Sequence, residues 1–146
     1  MILNKNLFLV DDDEDDRLFF VEAVAQIDNT INVSTAFDGI KALDLLEVIS
    51  TRPDLIFMDI NMPRMDGMQC LHILKKHSVF KTIPVLMLTT SGDHREKCSA
   101  LGAHATLIKP MSINIFTQML TEILQTDFSA PKKLKFSFDK PFKDGR

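Results

Sequence analysis

The chain has no tryptophan and no tyrosine, and only two cysteines and five glycines among its 146 residues. Each scarcity removes a class of protein. Cys70 and Cys98 lie far apart and form no C-x-x-C pair, so neither a disulfide framework nor a zinc centre of ordinary spacing is available. Both read as buried free thiols. His72, His77, His94 and His104 show no metal-ligand spacing and carry no assigned chemistry. No apolar run approaches the roughly 20 residues needed to cross a bilayer, so no membrane partner is expected. From Met1 the chain reaches an acidic run within its first turns, which leaves no room for the apolar segment and cleavage site of a signal peptide. The expected location is therefore cytoplasmic. There is no internal repeat and no low-complexity segment.

Positive charge is also scarce where it would matter for nucleic acid. The net charge is −3, with 17 Lys+Arg against 20 Asp+Glu. It is unevenly spread. Residues 131–146 hold six basic and two acidic residues, a net of +4, so residues 1–130 hold the remaining 11 and 18, a net of −7. An acidic body argues against nucleic-acid binding, which rests on clustered cations that neutralise phosphates. The length fits one domain with a core that needs no covalent or metal staple.

What is present is alternation. Apolar runs of strand length at about 5–10, 31–36, 54–59, 84–89 and 104–108 alternate with stretches of helix length near 14–27, 39–49, 66–77, 92–101 and 112–125. In the first helix Leu18, Val21 and Ala25 are expected to share a buried stripe, widened by Phe20, Val24 and Ile27. In the last, Phe116, Met119, Leu120 and Ile123 do the same. Phe8, Phe19, Phe20, Phe37, Phe57 and Phe116 are expected in or near the core. The third and fourth strands are apolar at nearly every position, as in strands covered on both faces. Asp38-Gly39, Arg52-Pro53, Pro63, Asp66-Gly67, Pro84, Ser91-Gly92 and Pro110 punctuate the connections. Five βα units in succession predict a doubly wound α/β fold: a five-stranded parallel sheet, flavodoxin-like in its order 2-1-3-4-5, with helices on both faces.

Such sheets bind ligands beyond the carboxyl ends of their strands, where strand order reverses. Asp11-Asp12 end the first apolar run, Asp59 the third, Thr89 the fourth, and Lys109-Pro110 follow the fifth. If those runs are parallel neighbours, three acids, a hydroxyl and an ammonium meet at one rim. Three carboxylates so close repel, and a hard divalent cation such as Mg²⁺ relieves the repulsion while leaving room for waters and phosphate oxygens. Lys109 adds a point charge and Thr89 a hydroxyl donor. A carboxylate nucleophile beside Mg²⁺ and a lysine is a chemically complete set for forming an aspartyl phosphate. Asp13 to Asp16 read differently, as a solvated block placed where a helix N-terminus favours negative charge.

Over about residues 5–126 the chain resembles a receiver domain of the bacterial two-component response regulators, of the chemotaxis-regulator-like, single-domain type. The resemblance rests on VDDDEDDR at 10–17, AFDGIKAL at 36–43, DLIFMDINMPRMDG at 54–67, PVLMLTTSG at 84–92 and LGAHATLIKP at 101–110. It implies that Asp59 is the phosphoacceptor and that Asp11, Asp12, Asp59 and the backbone carbonyl of Asn61 hold Mg²⁺. Thr89 would be the hydroxyl that moves toward the phosphate, Thr90 and Ser91 would flank it, and Lys109 would pair with it. Met62-Pro63 and Asp66-Gly67 would shape the loop after the third strand, and the bond before Pro110 would be cis. In this family a Tyr or Phe often stands three residues before the lysine. Here that position is Thr106, so any switch is read by backbone movement or at another surface.

The implied function is a phosphoryl-accepting switch in a two-component system or phosphorelay, served by a histidine kinase or histidine phosphotransfer protein and acting on an unknown output protein. It is not a free-standing enzyme, though it would assist its own Mg²⁺-dependent phosphorylation and dephosphorylation. The alternative is a pseudo-receiver that binds partners without cycling; such chains usually lose the acid pair, the acceptor or the lysine, all kept here. A haloacid-dehalogenase-like phosphatase would need an acid two residues after its nucleophile, and Asn61 stands there. The division expected is a receiver domain at 1–126 and a basic tail at 127–146, flexible or partner-docking. In the tail Leu134, Phe136 and Phe138 alternate with Lys135 and Ser137, a pattern suited to strand addition at a sheet edge. The sixteen residues from Pro131 to Arg146 are too few for a DNA-binding effector, so output is expected through protein contact.

Overall fold

Five parallel strands form one sheet in the order β2-β1-β3-β4-β5. The computed structural model describes residues 1–129. The alternating Leu134, Phe136 and Phe138 and most of the basic tail lie outside the described residues. The strands are β1 Asn6–Val10, β2 Asn32–Ala36, β3 Leu55–Asp59, β4 Val85–Thr89 and β5 Ala105–Ile108. Between and after them run α1 Glu14–Ile27, α2 Gly39–Val48, α3 Gly67–Lys76, α4 Arg95–Ala100 and α5 Ile113–Leu124, with one 3₁₀ turn at Phe80–Thr82. This is the expected doubly wound topology.

The two faces of the sheet are covered separately because side chains alternate along a strand. Leu7, Leu9, Leu55, Phe57, Leu86 and Leu88 point to one side, where α1 and α5 supply Phe20, Val24, Phe116 and Leu120. Phe8, Val10, Ile56, Met58, Val85 and Met87 point to the other, against Leu46 of α2, Leu71 and Leu74 of α3 and Cys98 of α4. Each fully buried Leu, Ile or Phe contributes about 1.5–3 kcal/mol of transfer free energy. β3 and β4 are buried at every position, so the strands that reach the acidic rim are fixed on both faces.

Most helices start on a side-chain oxygen. Asp13, Asp38, Asp66 and Ser112 cap α1, α2, α3 and α5 by accepting from the backbone N–H three residues on, and Asp66 with Gln69 completes a capping box. At the opposite end of the sheet, the buried Asn4 amide donates to the carbonyls of Leu124 and Thr126 and satisfies the last turn of α5. No helix among the described residues is long and apolar enough to cross a membrane.

Three expectations are corrected. In α1 the buried residues are Phe20, Ala23 and Val24, while Leu18, Val21 and Ala25 face outward. The helix is apolar on more than one face, and its docking onto Phe57 and Phe116 selects the Phe20 stripe. Phe37 is half exposed, because it lies in the turn beyond the edge strand β2. The bond before Pro110 is trans, the isomer that an X–Pro bond prefers by about 0.5–1 kcal/mol. The two cysteines are free and buried, as expected.

Candidate functional site

The rim where β1 and β3 end gathers three acids. Asp11 directly follows β1, and its N–H still donates to Ala36 O of β2 at 3.1 Å. Asp59 is the last residue of β3, paired with Leu88 of β4. Asp12 is exposed at the lip. One carboxylate oxygen from each of Asp11, Asp12 and Asp59 lies within 4.8 Å of the others. Asp11 and Asp59 are almost wholly buried. The convergence expected from the strand order is therefore real.

Lys109 arrives from the end of β5, its N–H donating to Thr89 O at 2.8 Å. Its Nζ stands 3.0 Å from Asp11 Oδ2, 3.4 Å from Asp59 Oδ1 and 3.0 Å from Asp16 Oδ2. Asp16 was not expected there. Capping at Asp13 puts Asp16 in the first turn of α1, from which its side chain reaches back over the end of β1. Only Asp13, Glu14 and Asp15 keep the solvated role given to the whole block, and Asp13 is additionally the helix cap. The signal that could have found Asp16 was the cap itself: once Asp13 is the N-cap, Asp16 occupies the third helical position.

The charges do not balance, and burial and mutual repulsion shift the acids of the site. Burial pushes the Asp59 carboxyl up to about 7; the Lys109 charge opposes this, while the Asp11 charge and a hydrogen bond to Asp12 add to it. Burial likewise raises Asp11, against the N–H of Asp13 and the ammonium of Lys109. Burial works against the Lys109 charge, but its bonds to Asp11 and Asp16 and the Asp59 charge outweigh it and hold the ammonium above the ordinary lysine value. One ammonium cannot neutralise this many acids. A compact, oxygen-only, net-negative donor set is what a hard divalent cation requires, so the residues present fit Mg²⁺.

The loop after β3 is shaped around Asp59. Gly67 N–H donates to Ile60 O at 2.8 Å, and a Cβ at residue 67 would stand 2.1 Å from Asp59 O. Only glycine fits. Arg64 holds a left-handed backbone, φ 66°, a conformation costing about 1 kcal/mol without a compensating contact. The contact is present: its guanidinium donates to Asp38 Oδ2 at 2.8 Å, and Asp38 is buried. The same Asp38 caps α2 through Lys41 N–H. The Arg64–Asp38 tie between the β3–α3 loop and α2 was not visible in sequence, since nothing local pairs those positions. Within that loop Asn61 is exposed and Met62 buried.

Thr89 is buried at the end of β4, with its hydroxyl accepting from Ser91 N–H at 3.2 Å. Thr90 and Ser91 are exposed beside it. Thr106 is buried on the α4 side of β5, toward Cys98, whose thiol burial pushes up while the Thr106 hydroxyl acts in the opposite direction. The position of the family's aromatic is thus filled by a small side chain packed inward.

The family described as Response regulator receiver domain matches residues 7–121. Protein PilG of Pseudomonas aeruginosa is 40% identical over 83 residues, covering 56% of this chain and 60% of PilG. Response regulator MprA of Mycobacterium bovis is 30% identical over 125 residues, covering 84% of this chain and 52% of MprA. The chain thus spans less than two thirds of these relatives, and only 7% of the hybrid signal transduction protein dokA of Dictyostelium discoideum. Among solved structures, the Mn²⁺-bound form of response regulator Rcp1 superposes with a TM-score of 0.73 at 28% identity, covering 84% of this chain and 96% of that one. The chemotaxis response regulator CheY4 of Vibrio cholerae gives 0.70 at 30% identity, with 83% and 99% covered. A matched family over most of the chain, a shared sheet order and acids and lysine at one rim lead to one conclusion: this chain belongs to the response-regulator receiver domain family.

Proposed function

We propose that this receiver domain is a phosphoryl-accepting signalling switch, with Asp59 as the acceptor. A histidine kinase or a histidine phosphotransfer protein serves as donor. The P–N bond of its phosphohistidine breaks as a P–O bond to an Asp59 carboxylate oxygen forms, and the released imidazole takes a proton from solvent. Hydrolysis of the acyl phosphate by water later returns the Asp59 carboxylate and inorganic phosphate. The observation carrying this reading is the meeting of the Asp11, Asp12 and Asp59 carboxylates within 4.8 Å, beside the Lys109 ammonium.

Asp11, Asp12, Asp59 and the main-chain carbonyl of Asn61 would hold Mg²⁺, and Rcp1, a solved relative, carries Mn²⁺. The ion would supply positive charge for the transferred phosphoryl oxygens. Lys109 stabilises the charge that develops on the phosphoryl group, and burial of Asp59 keeps bulk water from competing for it. Thr89 donates its hydroxyl to the new dianion, with Thr90 and Ser91 flanking it, and gives up its contact with Ser91 N–H to do so. Movement of Thr89 and Lys109 shifts a pre-existing equilibrium between two surface states, which an output protein reads. With Thr106 small and buried, the readout runs through the backbone and packing of β5 and α4. The receiver unit is residues 1–126, with Phe128 packing back onto its core and against His104, and the site of action is the cytoplasm.

Incubation with acetyl phosphate and Mg²⁺ tests this. Intact-mass measurement is expected to show the addition of one phosphoryl group, abolished by Asp59→Asn. Wild-type protein that stays unmodified while folded overturns the switch and leaves a non-cycling binding module.

A further inference from the structure

Lys109 has three hydrogens to donate; Asp11 and Asp16 each accept one, and Asp59 stands beside them as an ion-pair partner. Its Nζ lies 3.0 Å from Asp11, 3.4 Å from Asp59 and 3.0 Å from Asp16. Two of the three ammonium hydrogens are therefore committed to Asp11 and Asp16 before any phosphoryl group arrives, and the third is left to face Asp59. These three partners are not equivalent. Asp11 is buried, and its other oxygen is held by Asp13 N–H at 3.0 Å. Asp59 is the acceptor itself. Asp16 is half exposed, at 48% of its side chain.

We propose that Asp16 is a rival of the phosphoryl group for the Lys109 ammonium, and that it sets how tightly phosphorylated Asp59 is held. The inference rests on the phosphoacceptor reading above. A phosphoryl group on Asp59 places doubly charged oxygens beside Nζ; it can take the hydrogen that faces Asp59, but it gains a second only if Asp11 or Asp16 yields one. Asp16 yields at least cost, because water already reaches its carboxylate and can take the place of the ammonium. It nevertheless stays in reach. Its backbone N–H is fixed at 3.0 Å to the Asp13 cap, so the side chain remains poised over Lys109. Each return of Asp16 to Lys109 withdraws a donor from the phosphate and brings a negative charge toward it. Asp16 is in this sense a positioning residue acting through Lys109.

The adjacent Asp15 provides the control, since it carries the same charge on the same exposed turn. Full-length wild type, Asp16→Asn and Asp15→Asn are titrated with beryllofluoride in saturating Mg²⁺ and followed by fluorine NMR, with urea midpoints to show that each is folded. Asp16→Asn is expected to bind about fivefold more tightly, and Asp15→Asn to stay within about twofold of wild type. The lifetime of the acyl phosphate is expected to lengthen in Asp16→Asn alone. Unchanged or weaker binding in Asp16→Asn overturns the rivalry, as does equal tightening in both variants, which would be a general charge effect. Wild-type protein that binds no beryllofluoride overturns the phosphoacceptor reading, and this inference falls with it.

Discussion

A Cβ on residue 67 would stand 2.1 Å from the carbonyl oxygen of Asp59. The start of α3 and the end of β3 are packed backbone against backbone, so the position of Asp59 depends on the absence of a side chain eight residues later. Gly67→Ala is expected to lower stability by about 1–3 kcal/mol, the usual cost of overpacking. It should also weaken Mg²⁺ binding, because relief of the clash moves Asp59 off the rim. Urea unfolding and calorimetric Mg²⁺ titration check the two effects; a variant with wild-type values for both would contradict the packing.

The raised Asp59 carboxyl makes metal-free stability depend on pH in a definite direction. Its folded value, about 7, lies above the ordinary 3.8, so the folded state holds the proton more tightly. Below about pH 4 both states are protonated and the group contributes no difference. As pH rises toward 7 the unfolded chain ionises first, and stability falls until the folded carboxyl has also ionised. Metal-free protein should therefore be less stable at about pH 8 than at about pH 5. Asp59→Asn should remove most of the loss and stabilise the protein at about pH 8 by on the order of 1–3 kcal/mol. Urea midpoints in chelator at both pH values measure this.

Mg²⁺ should offset the same repulsion. With Mg²⁺ at about ten times its dissociation constant, stability is expected to rise by about 1.4 kcal/mol, and Asp11→Asn or Asp12→Asn should reduce the gain. With no Trp or Tyr in the chain, the titration is read by calorimetry or NMR rather than intrinsic fluorescence. A midpoint insensitive to Mg²⁺ would count against the metal assignment.

Asp38 and Arg64 make a graded pair of variants. Arg64→Ala removes the charged partner of a buried carboxylate and is expected to cost about 1–2 kcal/mol. Asp38→Ala removes both that ion pair and the cap of α2 and should cost more, about 2–4 kcal/mol. Equal losses would mean that the cap contributes nothing. Thermal unfolding of both variants alongside wild type separates the two contributions.

Much of this protein was legible in one dimension because the relevant signals are local. The apolar runs at β3 and β4 report burial on both faces, and the Phe116, Met119, Leu120, Ile123 stripe reports the inner face of α5. The acids that end β1 and β3 follow from strand polarity: side chains just past parallel strands share one rim. The α1 stripe was misread because Leu18 and Val21 are as apolar as Phe20 and Val24, and only docking against Phe57 and Phe116 distinguishes the two faces.

The sequence by itself determined the alternation of strands and helices, the breaks at Asp38-Gly39 and Asp66-Gly67, and the identity of the acids and lysine at the rim. Those are set by periodicity, by local turn chemistry, and by strand direction. Only the tertiary structure decided that Asp16 joins Asp11 and Asp59 on Lys109, that Arg64 reaches Asp38, and that Thr106 turns inward to Cys98. Each of these joins residues brought together by packing rather than by spacing. Distance, burial and the competition among charges exist only once the chain has closed.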